Sequence, residues 1–313
     1  MHYKLACDVL ETEAYGYDHA AFLMGAQGPD PYYYNVLGPR SQISRHIGDR
    51  LHDTRINVMF AAAIDYVQRY PSPWLEAYFA GFLCHYALDR HLHPYVYHHV
   101  GVYDEKKPET AVMRGLHLKF ERAIDVRLMT EQTGKPAYRY PLHRALPIRR
   151  TPVELQKFYD HLVRFTLSLE DGGTLFVKGH TMMRRIIRHV MRDRTGLKRR
   201  VYRWLDRKES GRDLFLEDLS FRTPPPDFDV LNRTHTTWFH PVTGVPSSKS
   251  VDDLYLDAYA LTRTLLDYFG PALKSGQPVA VEAWFENRSF NSGVDCDDPR
   301  PMRHIRLFTQ DTR

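Results

Sequence analysis

Gly81-Phe82-Leu83-Cys84-His85-Tyr86-Ala87-Leu88-Asp89-Arg90-His91-Leu92-His93-Pro94 is the stretch that decides the fold. From Trp74 to Leu88 the residues are apolar or aromatic almost all round, as a helix buried in a core should be. His85 and Asp89 lie at i and i+4 and share one face of that helix. A carboxylate there is costly to bury unless something compensates its charge. His117-Leu118-Lys119-Phe120-Glu121 repeats the geometry. Two such pairs in one chain suggest a metal centre held between helices. Each pair taken singly also has a plainer reading. His85–Asp89 can be a hydrogen-bonded core staple, and His117–Glu121 a surface pair.

Composition narrows the class. The chain has 313 residues, 43% hydrophobic and 26% charged, which fits a globular protein. With 20 Tyr and 16 Phe it can build a sizeable core. Five of its 17 His fall between His85 and His99. No stretch reaches the roughly 18–20 apolar residues of a membrane-spanning helix. The opening Met1-His2-Tyr3-Lys4-Leu5 has no signal-peptide pattern, which leads to an expected cytoplasmic location. Cys7, Cys84 and Cys296 form no spaced framework, so reduced thiols are expected and a Cys-based zinc finger is excluded. Any metal must use His and carboxylates.

The net charge of +5 is uneven: residues 178–212 hold 13 Lys/Arg against 3 Asp/Glu, leaving the rest at −5. Ile186, Ile187, Val190, Met191, Leu197, Val201, Trp204 and Leu205 recur in this stretch at helical spacing. It reads either as a surface helix pair with a solvated basic face or as a face that attracts phospholipid or a phosphorylated substrate. No nucleic-acid motif accompanies the charge, which leaves nucleic acid the less favoured partner.

Along the chain, helices are expected over 2–14, 44–69, 109–133, 153–169, 175–192, 197–208 and 251–269, besides the buried one ending before Pro94. Gly25–Gly38, dense in Gly, Pro and Tyr, reads as a loop. Gly211–Ser250 and the tail from Gly270 read as irregular. Strand alternation is scarce. The fold expected is all-α, a multi-helix bundle with long loops, forming a single domain over 1–313 with a helical C-terminal part at 151–313.

Other residues can join the two pairs. His93, just past the expected helix end, can swing toward His85 from an extended conformation, whereas His91 points elsewhere and is expected to be exposed. His98 and His99 are candidate outer groups. His52 shares an inward face with Ile56, Met59 and Ala63; it is either a core group or a ligand. His46 faces outward. Asp30, stiffened between Pro29 and Pro31, is either a turn residue or a well-aimed carboxylate. His2 opens the first helix. Tyr32, Tyr33 and Tyr34 either line a pocket or pack their loop.

These residues resemble the zinc-dependent phospholipase C family, within the broad group that includes P1/S1-type nucleases. The resemblance rests on Phe22-Leu23-Met24-Gly25-Ala26-Gln27-Gly28-Pro29-Asp30-Pro31, Gly48-Asp49-Arg50-Leu51-His52, His85-Tyr86-Ala87-Leu88-Asp89 with His93-Pro94, and the HxxxE element His117–Glu121. Leu231-Asn232 to Trp238 and Asn287-Arg288-Ser289-Phe290 also resemble family segments. The metal-site motifs lie within 1–121. The resemblance implies an all-α bundle holding two or three zinc ions. Asp30, His52, His85 and Asp89 would hold one. His93, His117 and Glu121 would hold a second. Asp89 would reach a third, to which His2 contributes. Asp30 would also orient or deprotonate a water. In secreted relatives an N-terminal Trp chelates the third zinc, and this chain opens Met1-His2, so that site is expected to be weak, different or empty. The four-residue spacing from Asp89 to His93 is shorter than in those relatives.

The implied activity is hydrolysis of a phosphodiester or a phospholipid headgroup, with peripheral membrane contact through 178–212. Zinc suits an imidazole-rich shell better than magnesium; manganese and iron would also tolerate it. A noncatalytic scaffold with structural metals and a P1-like nuclease are the alternatives.

Overall fold

The apolar run around His85 forms part of one helix, α5 (Pro73–Val100), in which every residue from Ala77 to Asp89 is buried. The helix does not stop before Pro94, as the sequence predicts, but runs through it. A proline inside a helix forfeits one backbone hydrogen bond and costs about 3 kcal/mol. Burial of Tyr95, Val96 and Val100, with the Tyr95 hydroxyl donating to the Val230 carbonyl at 3.2 Å, offsets that cost. His93 is therefore helical, one turn beyond Asp89.

The computed structural model describes residues 1–13, 15–104, 106–208, 216–275 and 280–308. Its architecture is all-α. The other helices are α1 (His2–Thr12), α2 (His19–Gly25), α3 (Ser41–Asp53), α4 (Ile56–Arg69), α6 (Ala111–Thr133), α7 (Val153–Leu167), α8 (Gly172–Arg185), α9 (Leu197–Lys208), α10 (Val251–Ser275) and α11 (Glu282–Phe285). One short ladder, β1 (Trp238–Phe239) against β2 (Pro246–Ser247), is antiparallel. The expected first helix ends at Thr12, and Ala14 lies outside the described residues. The irregular stretch expected from Gly211 also begins outside them.

Four expectations need correction. The helix expected over 44–69 is two helices, broken at Arg55, whose φ is 52°. Distant chain makes the break: the Ile56 amide donates to Asn287 Oδ1 at 2.9 Å, and the Phe290 amide donates to the His52 carbonyl at 2.8 Å. Within the expected 25–38 loop, Asp30–Tyr34 is a 3-10 turn. Residues 186–191 continue α8 as a π-helix, and α10 continues past Pro271.

By contacts the chain divides into two compact units, residues 1–91, 143–184 and 255–299, and residues 92–142, 185–254 and 300–313. The core of the first unit gathers Leu5, Phe22, Phe60, Phe82, Phe158 and Leu265 among others. Its rings pack face to face, as in Phe60 on Phe285 at 3.8 Å and Tyr159 on Phe176 at 3.7 Å between centroids. The second unit packs Tyr95 against Phe120 and Trp238. It also buries an ion pair, Arg122 to Asp218 at 2.8 Å. Here Leu197, Val201 and Trp204 of α9 are 64%, 45% and 52% exposed, so the apolar face of the basic helix is not a buried one.

One crossing in the first unit positions the site. At Gly81 a Cβ would lie 2.0 Å from the Phe22 carbonyl oxygen, and at Gly25 one would lie 1.9 Å from that of Tyr78. Helices α2 and α5 thus touch backbone to backbone, and the chain leaving α2 is laid directly over α5.

Gly81→Ala is expected to lower unfolding free energy by about 2–3 kcal/mol, because backbone atoms must separate. Urea denaturation measures it, and an unchanged midpoint would show that the crossing is not tight. A second expectation concerns His180 on α8, whose ring is buried and accepts or donates at Thr151 Oγ1, 2.9 Å away. Burial, with Arg184 next, lowers its pKa from 6.5 to about 4. The unfolded chain therefore takes a proton at this position that the folded chain refuses. Stability is fully present above pH 6.5 and falls toward pH 4, by about 3 kcal/mol for this group. A His180→Gln variant should lose less over the same interval; parallel curves would discount the assignment.

Candidate metal centre

In the first unit, five of the sequence candidates converge. His85 and Asp89 come from α5, one turn apart, with His85 Nε2 at 3.0 Å from Asp89 Oδ2. His52 comes from the last turn of α3, its Nε2 at 3.5 Å from that of His85. Asp30 opens the 3-10 turn after α2, and its Oδ1 lies 3.4 Å from His52 Nε2 and 3.9 Å from His85 Nε2. His2, at the start of α1, stacks on the His85 ring at 4.3 Å and sets Nε2 at 3.2 Å from Asp89 Oδ1.

The other ring nitrogens fix what these atoms can do. His52 Nδ1 donates to the Gly48 carbonyl at 2.7 Å, and His85 Nδ1 donates to the Ala26 carbonyl at 3.3 Å. With the proton on Nδ1, each neutral ring turns a bare Nε2 inward. Two bare nitrogens and the oxygens of Asp30 and Asp89 then face one another, and all of them are acceptors. His52, His85 and Asp89 are at most 2% exposed. Such an arrangement needs a cation or extra protons at its centre.

Electrostatics follow the same geometry. Burial raises the Asp30 pKa, but His85 and His52 outweigh it and the net shift is downward. His2 is lowered to about 4, by burial first and by His85 next, against the pull of Asp89 and Asp30. Its ring is neutral at neutral pH, with Nδ1 buried and lacking a hydrogen-bond partner among the described residues.

The second unit holds the other three candidates. His93 from α5 and His117 from α6 both direct Nε2 at Glu121 Oε1, at 3.3 and 3.0 Å. Burial raises the Glu121 pKa, but His117 and His93 override it and hold the carboxyl well below its usual range.

Among the described residues, three groups offer donor atoms that all lie within 4.8 Å of one another: His2–Asp30–His85, His52–His85–Asp89 and His93–His117–Glu121. These imidazole and carboxylate sets fit zinc, which takes such donors at tetrahedral spacing. All eight sequence candidates fall in these groups. His91 does not point outward as expected. It is half-buried, with its ring Nδ1 on the Ala87 carbonyl at 2.8 Å. His98 and His99 are buried but engage elsewhere, His98 at the His304 carbonyl and His99 against Phe120. His46 is exposed. Tyr32 packs in the core with its hydroxyl on Gly172, whereas the Tyr33 hydroxyl lies 3.2 Å from His52 Nδ1.

Sequence reasoning missed the supports. Gly28 has φ +48°, and a Cβ there would lie 2.2 Å from the His85 ring, so this glycine backs the imidazole. Phe290 meets the His52 ring edge to face at 5.2 Å. The paired glycines of Gly25-Ala26-Gln27-Gly28 were a signal for close approach; Phe290 was marked only as part of a family-like segment, with nothing to tie it to His52.

The chain matches the family described as zinc dependent phospholipase C over residues 1–167, more than half its length and a span containing all eight candidates. It belongs to that family, and with it to the zinc-dependent phosphoester hydrolases. Neither the curated proteins nor the solved structures yield a match. No helix among the described residues is long and apolar enough to cross a membrane.

Gly28→Ala is expected to displace the His85 ring and weaken zinc uptake about 10- to 100-fold, as loss of an orienting neighbour does. Competition against a chromogenic chelator measures this, and wild-type affinity would remove Gly28 from the site.

Proposed function

We propose that this chain is a zinc-dependent phosphodiesterase acting on phospholipid headgroups, with its metals catalytic. The observation that carries the reading is the all-acceptor cluster, in which the Nδ1 contacts of His52 and His85 leave both Nε2 atoms directed at Asp30 and Asp89. Asp30, His52, His85 and Asp89 would hold one zinc, and His93, His117 and Glu121 a second. His2 with Asp89 would contribute to a third. When bound, zinc supplies Lewis acidity toward phosphoryl oxygens and acidifies water.

The chain's own groups divide the remaining work. The Asp89 side chain is 3% exposed and that of Asp30 is 29%, so Asp30 is the carboxylate that can meet solvent. Its lowered pKa keeps it ionised at neutral pH, the form that orients water and accepts its proton. Gly48 and Ala26 hold His52 and His85 in the tautomer that presents Nε2. The basic stretch 178–212 suits approach to an anionic bilayer, and the exposed Leu197, Val201 and Trp204 on α9 suit contact with its interface.

The proposal takes residues 1–313 as one working domain, since each compact unit draws on three separate stretches of chain. It also takes the cytoplasm as the place of action, in keeping with three free cysteines.

The test is zinc content by elemental mass spectrometry with a chromogenic phosphodiester assay before and after chelation. Two or three zinc ions per chain are expected, with activity lost on chelation and restored by zinc. Asp89→Asn is expected to lose zinc and stability. Full zinc content in that variant, or turnover indifferent to chelation, would refute the reading. Zinc without turnover on any phosphodiester would favour a structural role.

A further inference from the structure

Within the second unit, Tyr138, Arg139, Arg194 and Arg222 line a cavity of about 310 Å³. Of these, Tyr138 packs against a small apolar cluster, Val126, Ala137 and Phe221, as does Met191. This cluster fixes Tyr138 and the chain entering Arg222. The Arg222 guanidinium lies flat on the Tyr138 ring, 3.7 Å from its centroid. Its Nε donates to the Asp193 carbonyl at 2.8 Å and its Nη2 to the Arg194 carbonyl. The fork is thus immobilised by neutral acceptors, its charge uncancelled and Nη1 uncommitted.

The described acids nearby, Asp193, Glu217 and Asp218, are engaged. Asp193 accepts from the Gly196 and Arg199 amides at 2.8 and 3.0 Å and from Ser220 Oγ at 3.2 Å. Glu217 pairs with Arg199 and Arg203, and Asp218 pairs with Arg122. Arg139 and Arg194 are exposed, and neither side chain has a hydrogen bond, ion pair or ring contact among the described residues. Among the described residues no carboxylate lines the cavity. The three arginines that line it therefore give it positive charge.

We propose that this cavity binds a phosphate monoester group. Such a group carries close to two negative charges at neutral pH and offers three acceptor oxygens. Planar guanidinium forks match phosphate oxygens two at a time, and a preset Arg222 loses little freedom on binding. A diester or a carboxylate brings a single charge and leaves two of the three arginines unmatched. The monoester can come from free phosphate or from the headgroup of phosphatidic acid in a bilayer.

The test uses the full zinc-loaded chain, with inorganic phosphate followed by calorimetry and with sedimented phosphatidylcholine vesicles with and without phosphatidic acid. Arg139→Ser with Arg194→Ser is the informative variant, since neither side chain supports the fold and neither belongs to the metal groups. Circular dichroism and unchanged turnover of a soluble chromogenic phosphodiester, which needs no bilayer approach through 178–212, certify it. Phosphate affinity is expected to fall about tenfold or more in this double variant, and to stay as in wild type in His117→Ala. Arg194→Lys keeps the charge and loses the fork, and should fall in between. Recruitment to phosphatidic acid vesicles that the double variant abolishes would name the lipid as the source. Phosphate binding without such recruitment would name the free ion. Phosphate affinity equal in wild type and double variant, affinity lost only in His117→Ala, or no binding of either probe would overturn the proposal.

Discussion

A carboxylate with almost no access to water sits in the middle of the most apolar helix of the chain. Asp89 is 2% exposed and has His85 one turn before it on α5. A lone charge so placed is strongly unfavourable. The fold brings His2 and His52 from two other helices to the same carboxylate, gathering donor atoms round it for a cation. That requirement ties the start of α1 and the end of α3 to α5, and it explains why so much of the first unit's core is organised around one polar point. Removing either side of such an arrangement leaves the other stranded, which is why the cluster is a structural element as well as a chemical one.

Backbone closeness makes the arrangement possible. Without side chains at Gly25 and Gly81, α2 lies on α5, and Gly28 brings the following turn against the His85 ring. Asp30 is then delivered to His52 and His85 by a segment with few conformational choices, because Pro29 and Pro31 stiffen it. Positioning precision of this kind is what a metal shell demands, since ligand orientation is set by groups one layer out.

The acidic and basic halves of the chain's chemistry are separated in sequence. His and carboxylate ligands lie in 1–121, within the family match, while the cationic residues gather in 178–212. In the second unit the described acids near α9 are consumed by local hydrogen bonds and ion pairs, so surplus charge stays on arginines such as Arg194. Charge retained in this way is available to an anionic ligand.

How much could be read from the sequence follows from the range of the forces involved. The i, i+4 pairs His85–Asp89 and His117–Glu121, the apolar sweep of α5 and the scarcity of strand alternation are local, and they determined the all-α class and the candidate side chains. Pro94 misled because the local cost of a helical proline is smaller than the burial available to Tyr95 and Val96, which only packing reveals. The break at Arg55 depends on Asn287 and Phe290, far away in the chain. That His91 and His98 engage elsewhere was decided by carbonyls at Ala87 and His304, and which nitrogen His85 and His52 present by those at Ala26 and Gly48. The sequence determined which donors exist. Only the tertiary structure decided which of them meet, because a hydrogen bond to a distant carbonyl has no signature in the residue that makes it.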